Sequence, residues 1–131
     1  MENNNKKKIL IVDDDKFLVN MYSIKFKAAG FEVFSAFDGQ EMLTKVKDGL
    51  VPDVVMLDMI MPAMDGVEIL SRIRKENLVP KAKVVILSNQ NQPSDIERAK
   101  ALGISGYIVK ATTIPSEVVT EIEQILKESL Q

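Results

Sequence analysis

Five short segments rich in β-branched and aliphatic residues recur along the chain: Ile9 to Val12, Phe31 to Ala36, Val54 to Leu57, Val84 to Leu87 and Gly106 to Val109. The first, third and fourth are unbroken apolar runs. Such a run has no polar side to show to water, so it predicts a strand covered on both faces, as in a parallel sheet. Helical spacing fills the intervals. Leu18, Met21, Tyr22, Lys25, Phe26 and Ala29 form one stripe that Gly30 ends. Met42, Leu43, Val46 and Leu50 form a second, opened by Asp38-Gly39 and stopped near Gly49, and Gly66, Val67, Leu70 and Ile73 form a third. Ser94 and Glu97 have capping-box spacing for a short helix ending at Gly103. A last helix is expected from Pro115, with Val118, Val119, Ile122, Ile125 and Leu126 facing inward. Strand and helix alternate five times, and right-handed crossovers then place a parallel sheet between two helical layers.

The residues that end the strands give this α/β frame its chemistry. Asp13 and Asp14 follow the first strand, Asp58 the third, Ser88 the fourth and Lys110 the fifth. Open α/β sheets bind ligands just beyond the carboxyl ends of their strands. A carboxylate directly after a run as apolar as Val54-Val55-Met56-Leu57 is costly there unless a ligand needs it. Each residue also has an ordinary role. Asp58 can cap a turn, and Asp13-Asp14-Asp15 can start a helix, the expected role of Asp15. Ser88 can satisfy a loop amide, and Lys110 can be a solvated strand end. Two carboxylates about 4 Å apart repel by about 4 kcal/mol at an effective dielectric near 20, more than one ammonium offsets. A divalent ion would offset the rest, and a few oxygen ligands with room for water and phosphate suit Mg²⁺.

Composition removes most other chemistry. The chain has no cysteine and no histidine, which excludes thiol nucleophiles, zinc-thiolate sites and imidazole bases. Its formal charge of −2 gives no basic field, so direct nucleic-acid binding is not expected. Met1 to Lys8 lacks the apolar core of a secretory signal and no apolar run is long enough to span a membrane, so a cytoplasmic protein without membrane contact is expected. No Gly-rich phosphate loop follows a strand. The 131 residues suit a single domain, expected over residues 8–128 after a flexible N-terminal tail of residues 1–7.

Asp13-Asp14, the run Asp58-x-x-x-Pro62-x-x-Asp65-Gly66, Ser88, Tyr107 and Lys110 resemble, in order and spacing, the receiver domain of bacterial two-component response regulators. The resemblance spans Lys8 to Leu126. It implies a flavodoxin-like (βα)5 fold with strand order 2-1-3-4-5. It also implies a regulatory phosphoacceptor domain rather than an enzyme acting on an outside substrate. By the same match Asp58 is the phosphoacceptor, and Asp14, Asp58 and the Ile60 carbonyl ligate Mg²⁺ while Asp13 acts through water. Ser88 binds the acyl phosphate, Lys110 pairs with Asp58 and then with its phosphoryl group, and Tyr107 turns toward the space that Ser88 vacates. Tyr107 can equally be a half-buried strand aromatic with a wet hydroxyl. The implied partners are a sensor histidine kinase or phosphotransfer protein and a downstream protein or fused effector. They would be met through the face of helix four, strand five and helix five, which also supports a phosphorylation-dependent homodimer.

The chain departs from that pattern in four places. Ala111 stands where the family has a proline behind a cis bond, so a trans bond and a re-aimed Lys110 are expected. The segment Thr112-Thr113-Ile114 is about one residue longer than usual. Asn89 and Gln90 replace a small residue and crowd the acceptor. Ile60 puts an apolar side chain where a polar one guides attacking water, which predicts slow self-dephosphorylation. A pseudo-receiver that only binds partners would be expected to lose parts of the acid cluster, which this chain keeps. A Mg²⁺-dependent phosphatase would want a second acid where Ile60 stands.

Overall fold

The computed structural model describes residues 6–89 and 92–128. The strands are β1 (Lys8–Val12), β2 (Glu32–Ala36), β3 (Val54–Leu57), β4 (Lys83–Ser88) and β5 (Gly106–Val109). The helices between and after them are α1 (Lys16–Ala28), α2 (Gly39–Lys47), α3 (Gly66–Lys75), α4 (Pro93–Ala101) and α5 (Pro115–Glu128), with one 3-10 turn at Lys110–Thr112. All strand pairs are parallel, in the order β2-β1-β3-β4-β5. This is the doubly wound order expected, and it puts the ends of β1, β3 and β4 side by side at one rim.

Alternation along each strand divides the core in two. Leu10, Val12, Val55, Leu57, Val84 and Ile86 pack with Met42, Leu43, Ile69, Leu70, Ile73 and Ala99 from α2, α3 and α4. Ile9, Ile11, Val54, Met56, Val85 and Leu87 pack on the other face with residues of α1 and α5. The unbroken apolar runs follow from this, because both faces of β1, β3 and β4 are covered. β2, at the edge, keeps Glu32 exposed and Val33, Phe34 and Ser35 half-buried.

Local chemistry sets the helix starts. Asp15, Asp38 and Asp65 cap α1, α2 and α3, accepting from the backbone N–H groups of Leu18, Glu41 and Glu68. The capping box expected at Ser94 is not formed. Gln92 holds the cap position without a side-chain bond, and Pro93 occupies the first turn, placing Ser94 already inside the helix. The α1 stripe is also narrower and shifted: Val19, Tyr22 and Phe26 are buried, whereas Lys25 and Ala29 are exposed. The i, i+3, i+7 set Val19, Tyr22 and Phe26 is buried in the core, with Leu18 and Met21 packed against it only partly buried. Gly30, at φ 96°, turns the chain after α1 as its place past the helix requires.

One glycine matters for the rim. The N–H of Gly66 donates to the Met59 carbonyl at 2.9 Å, bringing the start of α3 against the end of β3. A Cβ on Gly66 would lie 2.8 Å from the Met59 Cα and against the Asp58 carbonyl oxygen. Gly66→Ala is therefore expected to destabilise the fold by about 1–3 kcal/mol, since the obstruction is backbone and cannot rotate away. Urea denaturation of the variant measures this.

Among the described residues no helix is long and apolar enough to cross a membrane. Residues 1–5 of the expected tail, and Gln90, lie outside the described residues; the carbonyl of Lys7 already accepts from Glu32 N–H at 2.9 Å, beside β2.

Candidate functional site

β1, β3 and β5 deliver charged residues to the same rim. Asp13 follows Val12 and is held by its own backbone, whose N–H donates to the Ala36 carbonyl at 3.1 Å. Its Oδ1 accepts from the Asp15 N–H at 3.0 Å. Asp58 is fixed in the same way, its N–H donating to the Val12 carbonyl at 3.0 Å and its Oδ1 accepting from the Ile60 N–H at 3.5 Å. From the far side Lys110 reaches across, its Nζ 2.6 Å from Asp13 Oδ2 and 3.4 Å from Asp58 Oδ2. Ser88 is fully buried at the end of β4, and its hydroxyl acts on the Asp58 carboxyl and lowers its pKa.

Both inner acids are withdrawn from water, Asp13 at 4% and Asp58 at 6% exposure, while Asp14 is exposed. Carboxylate oxygens of Asp13, Asp14 and Asp58 all lie within 4.8 Å of one another. That spacing lets one small cation touch all three. The donor set is oxygen only, with one acid open to solvent, which fits Mg²⁺. The structure thus brings together every acid and the ammonium picked out from the strand ends.

The electrostatics show how uneasy the cluster is. Burial pushes the Asp58 carboxyl above its usual range, Lys110 pulls it back, Asp13 pushes it up again, and hydrogen bonds from Ser88 and Ile60 only partly compensate. For Lys110, burial would depress the ammonium, but the hydrogen bond from it to Asp13 and the charges of Asp58 and Asp13 outweigh that and raise it. A cation is favoured here, and one lysine does not meet the whole demand.

The departures resolve as follows. There is no cis peptide among the described residues, so the Lys110–Ala111 bond is trans as expected. Lys110 enters the cluster, and its closer partner is Asp13 rather than Asp58. After β5 the chain makes the 3-10 turn Lys110–Thr112, and Ile114 is 60% exposed. Asn89 is exposed at the rim. Ile60 is 61% exposed beside Asp58, with no polar side-chain atom to offer water. Tyr107 is half-buried on β5, packed against the α3–α4 side of the core, and burial raises its phenol with smaller contributions from Asp95 and Asp58.

One residue at the site was hidden in the α1 stripe. Tyr22 is 4% exposed and packs in the α1–α5 core, but its phenol lies in the fields of Lys110 and Asp13. Its helical spacing explained it fully as core. The available signal was that a buried tyrosine hydroxyl usually needs a partner.

Comparison with known proteins agrees with this geometry. The family model described as "Response regulator receiver domain" matches residues 9–123. The alkaline phosphatase synthesis transcriptional regulatory protein PhoP of Bacillus subtilis is 31% identical over 120 residues, which cover 92% of this chain and 48% of that protein. A probable transcriptional regulator, ycf27, of Porphyridium aerugineum is 34% identical over 122 residues, 93% of this chain and 49% of that protein. The chain thus spans about half the length of the curated relatives it matches. Among solved structures, the chemotaxis protein CheY4 of Vibrio cholerae superposes with a TM-score of 0.83 at 29% identity, covering 92% of this chain and 98% of that one. A CheY-like receiver domain protein of Methanospirillum hungatei gives a TM-score of 0.86 at 26% identity over 95% of this chain and 96% of that one.

Proposed function

The chain belongs to the response regulator receiver domain family of two-component signalling, and from that premise we propose that Asp58 takes up a phosphoryl group from a phosphohistidine donor and so controls partner binding. The observation that carries this is the meeting of Asp13, Asp14, Asp58 and Lys110 at one strand rim. One Asp58 carboxylate oxygen attacks phosphorus in line as the bond from phosphorus to the imidazole nitrogen breaks. Lys110 moves its ammonium from Asp13 toward the phosphoryl oxygens, and the Ser88 hydroxyl donates to one of them. Asp13, Asp14, Asp58 and the Ile60 carbonyl would hold Mg²⁺. When bound, the metal neutralises charge on the transferring oxygens.

The switch reading rests on the placement of Ser88 and Tyr107. Ser88 is fully buried beside the acceptor, so drawing it toward a phosphoryl group changes packing behind it, where Tyr107 is half-buried. Helix α4, strand β5 and helix α5 then carry the change to a downstream protein or fused effector, or to a second copy. Residues 8–128 form the receiver unit, acting in the cytoplasm with a sensor kinase or phosphotransfer protein as donor. PhoP is by its name a transcriptional regulator. If this chain is part of a similar regulator, DNA contact belongs to the other part, since its own charge of −2 provides no basic face.

Incubation with acetyl phosphate and Mg²⁺, followed by intact-mass measurement, tests the central claim. One phosphoryl adduct, lost in Asp58→Asn, is the expected result; no adduct on the wild-type chain would leave an interaction module. A second expectation concerns lifetime. Exposed Ile60 provides nothing to orient a water, so Ile60→Asn is expected to shorten the adduct's half-life by about tenfold. An unchanged decay rate would count against that role.

A further inference from the structure

Beneath Lys110 lies a polar group that nothing described so far uses. Tyr22 projects from the middle of α1 and is 4% exposed. It borders a cleft of about 510 Å³ between α1 and the segment after β5, which Lys110, Asn89 and Thr113 also line. Among the described residues its hydroxyl makes no hydrogen bond, although the charges of Lys110 and Asp13 both act on it. A phenol buried to this degree without a partner is costly unless a donor or acceptor comes to it.

The neighbour that can come is Lys110. An ammonium has three N–H donors. In the structure one points to Asp13 at 2.6 Å and a second lies toward Asp58 at 3.4 Å. To serve a phosphoryl group on Asp58 the ammonium must loosen its short contact with Asp13, and its aliphatic stem then needs a guide. The lysine side chain is 12% exposed, so protein lines its path. Residue 111 is alanine with a trans bond before it, so no proline ring stiffens the backbone behind the lysine.

We propose that Tyr22 is the positioning residue for Lys110: the ring supports the lysine stem from the α1 side, and the phenol oxygen accepts from the ammonium as it leaves Asp13 for the phosphoryl group. The inference rests on the phosphoacceptor reading of Asp58. Tyr22 touches neither the phosphoryl group nor the metal, and acts only through Lys110.

A double-mutant cycle separates this from a packing role. Tyr22→Phe keeps the ring and removes the hydroxyl, and acetyl phosphate with Mg²⁺ supplies the phosphoryl group. Tyr22→Phe is expected to slow phosphorylation of Asp58 by about tenfold. In a Lys110→Ala background the same substitution is expected to have no further effect. Equal slowing in both backgrounds, or no slowing in Tyr22→Phe while the wild type is phosphorylated, would overturn the proposal. A second readout needs no phosphorylation. The chain has two tyrosines and no tryptophan, so in Tyr107→Phe all tyrosine emission comes from Tyr22. Lys110→Met in that background is expected to change the emission intensity and its quenching, because the ammonium beside the phenol is lost. Unchanged emission would overturn the contact between the two residues. If the wild-type chain takes up no phosphoryl group, the reading of Asp58 fails by itself and the emission measurement still decides the contact.

Discussion

In magnesium-free buffer at neutral pH, Asp58→Asn is expected to be more stable than the wild-type chain, although it removes the residue the site is built around. The reason is the direction of the Asp58 shift. Burial and Asp13 push its carboxyl upward more than Lys110, Ser88 and Ile60 pull it down. A folded-state pKa above the unfolded one means that the native state binds the proton more readily, so ionised Asp58 costs stability. That cost is absent below the unfolded value of 3.8, grows as pH rises, and is complete above the raised folded value. Asparagine removes it while keeping the shape. The gain should be on the order of 1 kcal/mol, a few degrees in Tm, and should vanish as pH falls below the carboxylate range. Added Mg²⁺ should reverse the order, because a cation stabilises the ionised acid of the wild type and finds one ligand fewer in the variant. Thermal unfolding at several pH values, with and without Mg²⁺, checks both signs. A variant less stable than wild type in chelator would show that Asp58 is held by its partners rather than strained by them.

The parts of this design that were legible in the sequence are those enforced by single, strong constraints. Val54-Val55-Met56-Leu57 has no polar residue, so only a strand covered on both faces accommodates it, and β3 is the centre of the sheet. An acid that ends such a strand has little reason to be there for folding alone, and Asp58 does face Asp13 and Lys110. Weaker constraints misled. Ser94 and Glu97 satisfy capping-box spacing, but Pro93 is favoured in the first turn of a helix, and that moved the cap back to Gln92. Tyr22 obeyed helical periodicity, so its apolar ring concealed its polar end. The choice by Lys110 of Asp13 as its nearer partner was out of reach, because a long side chain selects between two acids by about an ångström of reach that no spacing encodes.

Lys110→Ala should give the largest change of all, and it should divide stability from chemistry. The ammonium is the only cation within 4 Å of Asp13 and Asp58 among the described residues, and its side chain is 12% exposed. Its removal leaves two nearly buried carboxylates facing each other, a loss of about 3 kcal/mol for a broken buried pair. The pH dependence follows from its raised pKa: the stabilisation is fully present below the unfolded value of 10.5 and is lost as pH rises through the higher folded value. The wild type should therefore lose more stability on that alkaline limb than the variant, which keeps only the loss from groups such as Tyr22 and Tyr107. Mg²⁺ should raise the Tm of Lys110→Ala more than that of the wild type, since the metal meets a cluster in which no ammonium competes for Asp13. Phosphorylation by acetyl phosphate should still fall by about a hundredfold at saturating Mg²⁺, because the metal restores net charge but not a donor on the Lys110 side of the transferring group. Recovery of both stability and rate by Mg²⁺ alone would mean that Lys110 only balances charge, and its placement between Asp13 and Asp58 would then have no part in the transfer.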